Sequence, residues 1–188
     1  MEGLVESMNM YQTTERLILQ VLPPYYCQQV LDFYVENKMH FEPWEAVREK
    51  NFYTASYQKK LLEVEYNMIM KSKMLRYYVF LKNNPEKIVG SVSITNIQRG
   101  AFQSCSLGYK IHKDYCNVGL GKEAVQEVME IVFKDYNLHR IEALVHPYNA
   151  PSIALLEALS FHKEGTAISA AMLNGQWQDM YRYALVNG

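Results

Sequence analysis

The stretch from Ser104 to Lys134 constrains the fold more than any other, because it changes from one periodicity to another. Its first part alternates between apolar and small or polar residues, which is the period of a β-strand. One strand face carries Cys105, Leu107, Tyr109 and Ile111, and the other carries Ser104, Ser106, Gly108 and Lys110. In its last part apolar residues recur every third or fourth position, as in an amphipathic helix. The sequence therefore predicts a strand followed directly by a helix.

The junction between this strand and helix, from Asn117 to Gly121, contains two glycines. The first N–H groups of a helix have no intrahelical partner, and the helix dipole adds positive charge there, so a phosphate can bind. A tight turn without a ligand explains the glycines equally well, and the turn alone leaves both interpretations open. Two other phosphate motifs are excluded: there is no GxxxxGK[ST] run, and the GxG lies past mid-chain rather than in an early βαβ unit.

Composition narrows the class of protein. With 188 residues, 49% of them hydrophobic, and a net charge of −1, the chain fits a globular protein without a basic surface for nucleic acid. No apolar run is long enough for a membrane span, and the first ten residues lack the apolar core of a secretory signal. Three cysteines without CxxC spacing favour a reducing cytoplasm over a disulfide framework, and the five histidines show no metal-binding spacing. We expect a flexible tail over residues 1–10 and a single domain over residues 11–188.

The predicted elements follow the order β-α-α-β-β-β-α-β-α-β-β, which we interpret as an α/β sandwich on a mixed sheet. The predicted strands lie within residues 13–22, 77–81, 88–94, 104–111, 139–145, 161–172 and 179–186. The predicted helices lie within residues 25–38, 54–73, 120–134 and 147–159. The pair Asn174-Gly175 predicts a hairpin turn before the last strand.

Two motifs together resemble a known family. The turn Cys116-Asn117-Val118-Gly119-Leu120-Gly121 is similar to [RQ]xxGxG, and the run from Asn149 through Ser152 to Phe161 is similar to NxxSxxLxxxxGF. In order and separation they resemble the GCN5-related N-acetyltransferases (GNAT), and most closely the branch that acetylates ribosomal-protein N-termini. The segments 14–19, 43–45 and 173–179 also resemble this branch. The resemblance implies the family's acyltransferase fold, with a mixed, mostly antiparallel sheet of about seven strands and about four helices.

The resemblance also implies acetyl-CoA as the acetyl donor, without a metal. The implied cofactor-binding residues are Tyr109, Lys110, Ile111, Cys116, Asn117, Val118, Gly119, Leu120, Gly121, Lys122, Asn149 and Ser152. The pyrophosphate would lie on the N–H groups of residues 118–121, and the pantetheine along the strand ending at Ile111. Asn149 and Ser152 are the implied catalytic residues: Asn149 would bind the amide arm, and Ser152 would stabilise or protonate the departing thiolate. An N-cap role for Asn149 and a bond from Ser152 to a helix N–H stay open as alternatives.

The chain departs from the family's motifs at three positions. Cys116 replaces Arg or Gln, which removes a phosphate donor and leaves a thiol that is either oxidisable or buried and inert. Ser160 replaces a glycine, and a left-handed backbone there would cost about 1 kcal/mol with serine. Some relatives carry a glutamate base on the strand before the Asn174-Gly175 turn, and that position is Ala171 here.

The missing carboxylate at residue 171 bears on the acceptor. A neutral amine is needed for attack on a thioester, and an α-amine with a pKa of about 7.7–8.0 is about one-seventh neutral at pH 7. A lysine near 10.4 is neutral about once in 2,500. We therefore predict an acetyl-CoA-dependent N-acetyltransferase that acts on a protein N-terminus, by resemblance that of a ribosomal protein. A small amine acceptor (polyamine, amino acid or antibiotic), a degenerate acetyl-CoA-binding module and a homodimeric state stay open.

Overall fold

The computed structural model describes residues 10–188. The tail predicted over residues 1–10 lies outside them, except for Met10, whose carbonyl accepts a hydrogen bond from the Val21 N–H at 2.9 Å. The strands are β1 (Tyr11–Thr13), β2 (Leu17–Gln20), β3 (Leu75–Leu81), β4 (Asn84–Gln98), β5 (Ser104–Ile111), β6 (Arg140–Val145), β7 (His162–Leu173) and β8 (Gln176–Val186). The α-helices are α1 (Cys27–Glu36), α2 (Lys38–Phe41), α3 (Ala55–Met70), α4 (Leu120–Lys134) and α5 (Ala150–Ala158). No helix in this part of the chain is long and apolar enough to cross a membrane.

The strands of the described residues form one eight-stranded sheet in the order β1-β2-β3-β4-β5-β6-β8-β7. Neighbours are antiparallel except β5 and β6, which run parallel, so the predicted mixed α/β sandwich is confirmed. The strand count is one higher than predicted, because β1 (Tyr11–Thr13) forms ahead of the predicted run, and the chain turns at Thr14, whose N–H donates to the Leu17 carbonyl at 3.1 Å. The helix count is also one higher, because α2 forms within the segment expected only to break the helices.

Helices cover both faces of the central strands. In β3, Tyr77 and Val79 belong to the core that contains the apolar side of α4. Tyr78 and Phe80 belong to a second core with α1 and with Leu62 of α3. A strand that is buried on both faces is apolar at consecutive positions rather than alternating, which accounts for the Tyr77–Phe80 run.

The centre of the sheet is only partly paired. Residues Ser104–Ser106 of β5 pair with Arg140–Glu142 of β6, and the pairing ends there. From Leu107 onwards β5 pairs only with β4, and from Ala143 onwards β6 pairs only with β8. The two strands diverge towards their C-terminal ends, and the facing edges carry main-chain N–H and C=O groups without a partner strand.

The loop between β1 and β2 is fastened to the start of α4. One oxygen of Glu123 accepts bonds from the Thr14 hydroxyl at 2.5 Å and the Arg16 N–H at 2.8 Å, and the other pairs with Arg16 Nε at 2.6 Å. Arg16 Nη1 also donates to the Val118 carbonyl at 3.0 Å. Burial alone would raise the pKa of Glu123, but the bonds from Thr14 and Arg16 outweigh it and lower that pKa. Glu123 therefore holds the glycine turn against the edge of the sheet.

We predict that Glu123→Gln lowers the free energy of unfolding at pH 7 by about 1–2 kcal/mol, because charge-assisted bonds are lost. Since the folded pKa is lowered, this stabilisation is complete above the unfolded value of about 4.3 and is lost as the pH falls through the folded pKa. Urea unfolding at pH 7 and pH 3 measures both. Glu130→Gln, which breaks only the exposed pair with Lys134, is the matched control. Equal losses for the two variants at pH 7 would contradict the assignment.

Candidate active site

A cleft of about 710 Å³ opens where β5 and β6 separate. The end of β5, the start of α4, the end of β6 and α5 form its walls, and the segment around Trp44 closes one side. Of the predicted cofactor residues, these line the cleft: Tyr109, Lys110, Ile111, Cys116, Asn117, Gly119, Gly121, Lys122, Asn149 and Ser152. Two do not: Leu120 is buried in the core, and the Val118 side chain is exposed while its carbonyl binds Arg16.

The two glycines of the turn, Gly119 and Gly121, suit their positions for different structural reasons. Gly119 has a left-handed backbone with φ 83°, and it is the residue that precedes α4. Gly121 is buried, and a Cβ there would lie 2.9 Å from Leu155 Cδ1 and 3.2 Å from Ile111 Cγ1, so a larger residue would force these side chains to shift. The Glu123 N–H makes the first bond of the helix, to the Gly119 carbonyl at 3.1 Å. The preceding N–H groups at the start of α4 have no intrahelical acceptor and are available to an anion.

Cys116, where the family has Arg or Gln, is held as a thiol. Its Sγ donates to the His112 carbonyl at 3.5 Å and lies 3.6 Å from His40 Nε2. Burial raises the pKa of Cys116, and the charge of Asp114 raises it further. Since the thiolate is the reactive form, this supports the inert interpretation over the oxidisable one.

A hydroxyl pair crosses the middle of the cleft. The hydroxyls of Tyr109 on β5 and Ser152 on α5 lie 2.6 Å apart, and Tyr109 Oη is also 3.1 Å from the Ser152 carbonyl. Burial raises the pKa of Tyr109 to about 12, so its proton is retained at neutral pH. The sequence predicted only a main-chain role for Tyr109. Its position on the apolar face of β5, two residues before the strand ends, is the signal that its hydroxyl reaches the site.

Asn149 is the N-cap of α5. Its Oδ1 accepts a bond from the Ser152 N–H at 3.3 Å, which is the capping alternative considered for this residue. The Ser152 hydroxyl binds Tyr109 instead of a helix N–H. Residue 160, after α5, has φ 65°, so serine stands in the left-handed conformation that the family's glycine would favour.

Seven of the nine residues of α5 are apolar, with Ser152 and Glu157 the exceptions, yet only Leu156 is buried. Apolar residues of a helix normally pack against other elements. Here Pro151, Ala154 and Leu155 line the cleft. The cleft therefore has one apolar wall along α5, opposite the unpaired edge of β5.

Three residues that the sequence did not predict as site residues line the opposite side of the cleft. Glu45 binds both Lys110 and Arg48, so the Lys110 side chain turns towards Glu45. The rings of Trp44 and His146 lie 5.7 Å apart. Trp44 and Glu45 belong to a segment that resembles the family, and His146 stands three residues before Asn149, where the second motif begins. Among the described residues that line the cleft, Glu45 is the only acidic one, and two cations neutralise it.

Ala171, at the position of a glutamate base in some relatives, lies on the edge strand β7 beyond an irregularity in its pairing with β8. Ser169 has φ 47° there, and its N–H donates to Asp179 Oδ1 at 2.8 Å. No carboxylate reaches the cleft from residue 171. Within residues 10–188, no group of three His, Cys, Asp or Glu side chains is placed to hold a metal ion.

The chain resembles known proteins in both sequence and fold. A family model described as an acetyltransferase (GNAT) domain matches residues 16–162, so the chain belongs to the GNAT family. It is 32% identical over 174 residues to the Escherichia coli ribosomal protein uS5-alanine N-acetyltransferase, which covers 92% of this chain and 89% of that protein. The crystal structure of ribosomal-protein-S5-alanine acetyltransferase from Vibrio fischeri matches with a TM-score of 0.89 at 30% identity, over 94% of this chain and 96% of that one.

A structure of Mycobacterium smegmatis RimJ in complex with CoA-disulfide has a TM-score of 0.85 at 24% identity, over 90% of this chain and 81% of that one. This likeness shows a shared fold. Together with the family match and the curated relative, it makes the chain an N-acetyltransferase with the GNAT fold.

Proposed function

We propose that this protein transfers the acetyl group of acetyl-CoA to the N-terminal α-amine of a protein, by direct attack of the amine on the thioester. The observation that carries the proposal is the cleft between the diverging strands β5 and β6, with a helix N-terminus at one end and the Tyr109–Ser152 pair in the middle. The names of the E. coli and V. fischeri proteins favour a ribosomal protein as the acceptor. Residues 11–188 would form the single acetyltransferase domain, and a cytoplasmic location stays a prediction.

The proposed donor site uses three features of the cleft. The pyrophosphate would bind the free N–H groups at the start of α4, next to Lys122. The pantetheine would lie between the apolar wall of α5 and the unpaired edge of β5, where main-chain groups can bond its amides as an added strand would. Asn149 lines the same cleft, so its side-chain N–H₂ group can serve the cofactor while its Oδ1 caps α5.

We predict that Lys122→Glu raises the dissociation constant of acetyl-CoA roughly 10-fold or more, because it reverses a charge beside the proposed phosphates. Lys122 is exposed, so the variant should fold normally, whereas substituting the buried Gly121 would disturb the contact with Leu155. Titration calorimetry measures the affinity, and Lys60→Glu on the exposed side of α3 is the charge-matched control. Unchanged affinity in Lys122→Glu, or equal loss in both variants, would contradict the phosphate site.

The Tyr109–Ser152 hydroxyl pair can assist CoA in leaving as a thiolate or thiol. When Tyr109 donates its hydrogen to Ser152 Oγ, the Ser152 hydrogen is free to bond the sulfur. As the carbon–sulfur bond of the acetyl-amine adduct breaks, negative charge grows on that sulfur, and the Ser152 proton can stabilise or neutralise it. Solvent would then return a proton to Ser152, while Tyr109 keeps its own proton and orients the serine hydroxyl. In this proposal Ser152 touches the leaving group, and Tyr109 acts through Ser152.

We predict that Ser152→Ala lowers kcat about 100-fold with little change in KM for acetyl-CoA, because the bond strengthens only as thiolate forms. Tyr109→Phe should lower kcat less, since Ser152 keeps its own hydrogen. Tyr183→Phe is the control, because its hydroxyl bonds Glu157 of the same helix at 3.0 Å outside the cleft. Steady-state kinetics with both substrates varied gives the constants. A higher KM with unchanged kcat in Ser152→Ala would instead mean that the serine only positions the donor.

The charges of the cleft favour an α-amine acceptor. Glu45 is paired with Lys110 and Arg48, and residue 171 is alanine, so no unpaired carboxylate among the described residues lines the cleft to take the amine proton. We infer that water removes it. An α-amine with a pKa of about 7.7–8.0 is deprotonated often enough near neutral pH, whereas a lysine amine is not.

The acceptor is tested by CoA thiol release from acetyl-CoA with a panel of amines. We expect turnover with peptides that carry a free N-terminal alanine or serine. We expect almost none with the same peptides blocked at the N-terminus and carrying an internal lysine. Turnover with polyamines or free amino acids alone would contradict the peptide assignment and keep the family. Binding of acetyl-CoA without turnover on any amine would indicate a degenerate binding module.

A further inference from the structure

His146, at the end of β6, is a side chain of the cleft whose orientation is fixed by its own turn. Its Nδ1 accepts the Tyr148 N–H at 3.2 Å, and its carbonyl accepts the Asn149 N–H at 2.9 Å. Pro147 between them restricts the backbone further. The imidazole also packs against Trp44, with ring centres 5.7 Å apart, and against Tyr148, with ring centres 5.5 Å apart. The ring therefore holds one orientation without a ligand.

This orientation determines what the other ring nitrogen can do. Because Nδ1 accepts a hydrogen bond, the uncharged ring carries its hydrogen on Nε2. Nε2 has no protein partner within residues 10–188. A base role would need a lone pair on Nε2, and the ring's hydrogen would then be on Nδ1. An Nδ1–H would point at the Tyr148 N–H and break the bond that Nδ1 accepts from it. His146 is therefore built as a hydrogen-bond donor.

The Nε2–H group of His146 lies on the side of the cleft where we expect the amine substrate to bind. Along β6, Ala143 and Val145 are buried in the core that contains α4 and α5, whereas Leu144 is exposed, so His146 continues the Leu144 face. Its contact with Trp44, which follows α2, agrees with this placement. Ser152 and the start of α4, which form the proposed donor site, belong to the other face. His146 therefore lies on the face from which we expect an acceptor to approach the thioester.

We propose that His146 Nε2–H binds the first carbonyl oxygen of the acceptor peptide and so selects an α-amine that is next to a peptide bond. This inference rests on the proposed function. In a peptide N-terminus only two carbon atoms, Cα and the carbonyl carbon, separate the amine nitrogen from the first carbonyl oxygen, so a hydrogen-bond donor beside the reacting amine meets that oxygen. A lysine ε-amine or a polyamine carries no acceptor at this distance, and the bond is absent.

The test compares an alanine-initiated peptide with its (E)-alkene isostere, in which the first peptide bond is replaced by a carbon–carbon double bond of the same shape. The measured quantity is kcat/KM for the peptide divided by kcat/KM for the isostere. The two amines differ in basicity, but this difference is the same for every enzyme variant and cancels when the variants are compared. In His146→Leu we expect this ratio to fall roughly 10-fold, mainly through KM for the peptide. His146→Gln, whose amide can still donate, should keep most of it. The exposed histidine variant His162→Leu, outside the cleft, is the matched control.

A second readout is independent of turnover. The dissociation constant of the peptide from the enzyme–CoA complex should rise in His146→Leu, while that of CoA stays constant. An unchanged ratio in His146→Leu would overturn the inference and leave the proposed function intact. Loss of the acidic limb of the kcat/KM–pH profile in both His146→Leu and His146→Gln would show a base and overturn it too. Absence of peptide acetylation by the wild type, with small amines as acceptors, would overturn the proposed function and this inference together.

Discussion

The short parallel pairing between β5 and β6 is the constraint on which the rest of this structure depends. Three residues of each strand pair, and then the strands separate. A sheet interior normally satisfies every main-chain group, and the separation leaves two facing edges without partners. α4 starts at one end of the gap and α5 runs beside it, so a helix N-terminus, an apolar wall and a strand edge meet at one place. Each feature is ordinary, and their convergence makes the cleft.

Side chains from distant parts of the sequence hold this arrangement in place. Thr14 and Arg16, near the start of the chain, bind Glu123 and the Val118 carbonyl, and so fix the glycine turn from outside. On the open face, Glu45 joins Lys110 of β5 to Arg48. The donor side and the acceptor side of the cleft are thus each fixed by charged residues. These residues stand outside the two sequence motifs, although Arg16 and Glu45 lie in segments that resemble the family.

The sequence predicted the elements with strong periodicity and missed those set by tertiary contacts. The strand over 104–111 and the helix over 120–134 were evident because apolar spacing determines both. The turn at Thr14, which separates β1 from β2, combines local bonds to Leu17 with a bond to Glu123, more than a hundred residues away, and nothing in the local sequence signals that second partner. For the same reason the motifs located Asn149 and Ser152, but not the bond from Tyr109 to Ser152 or the contact of Trp44 with His146. Periodicity predicts which face a residue shares, whereas such pairs depend on how strands and helices meet.

The division of the sheet has a mechanical meaning. Strands β1–β5 form one half-sheet and β6, β8 and β7 form the other, and a seam of three residue pairs joins them within the sheet. The width of the cleft therefore depends on the angle between the two half-sheets, and this seam is the pivot about which that angle can change. Arg140 lies in this seam and binds Glu142 and Glu164, so the seam is braced from the second half-sheet. A change at the pivot would alter the spacing between Tyr109 and His146 without touching either residue.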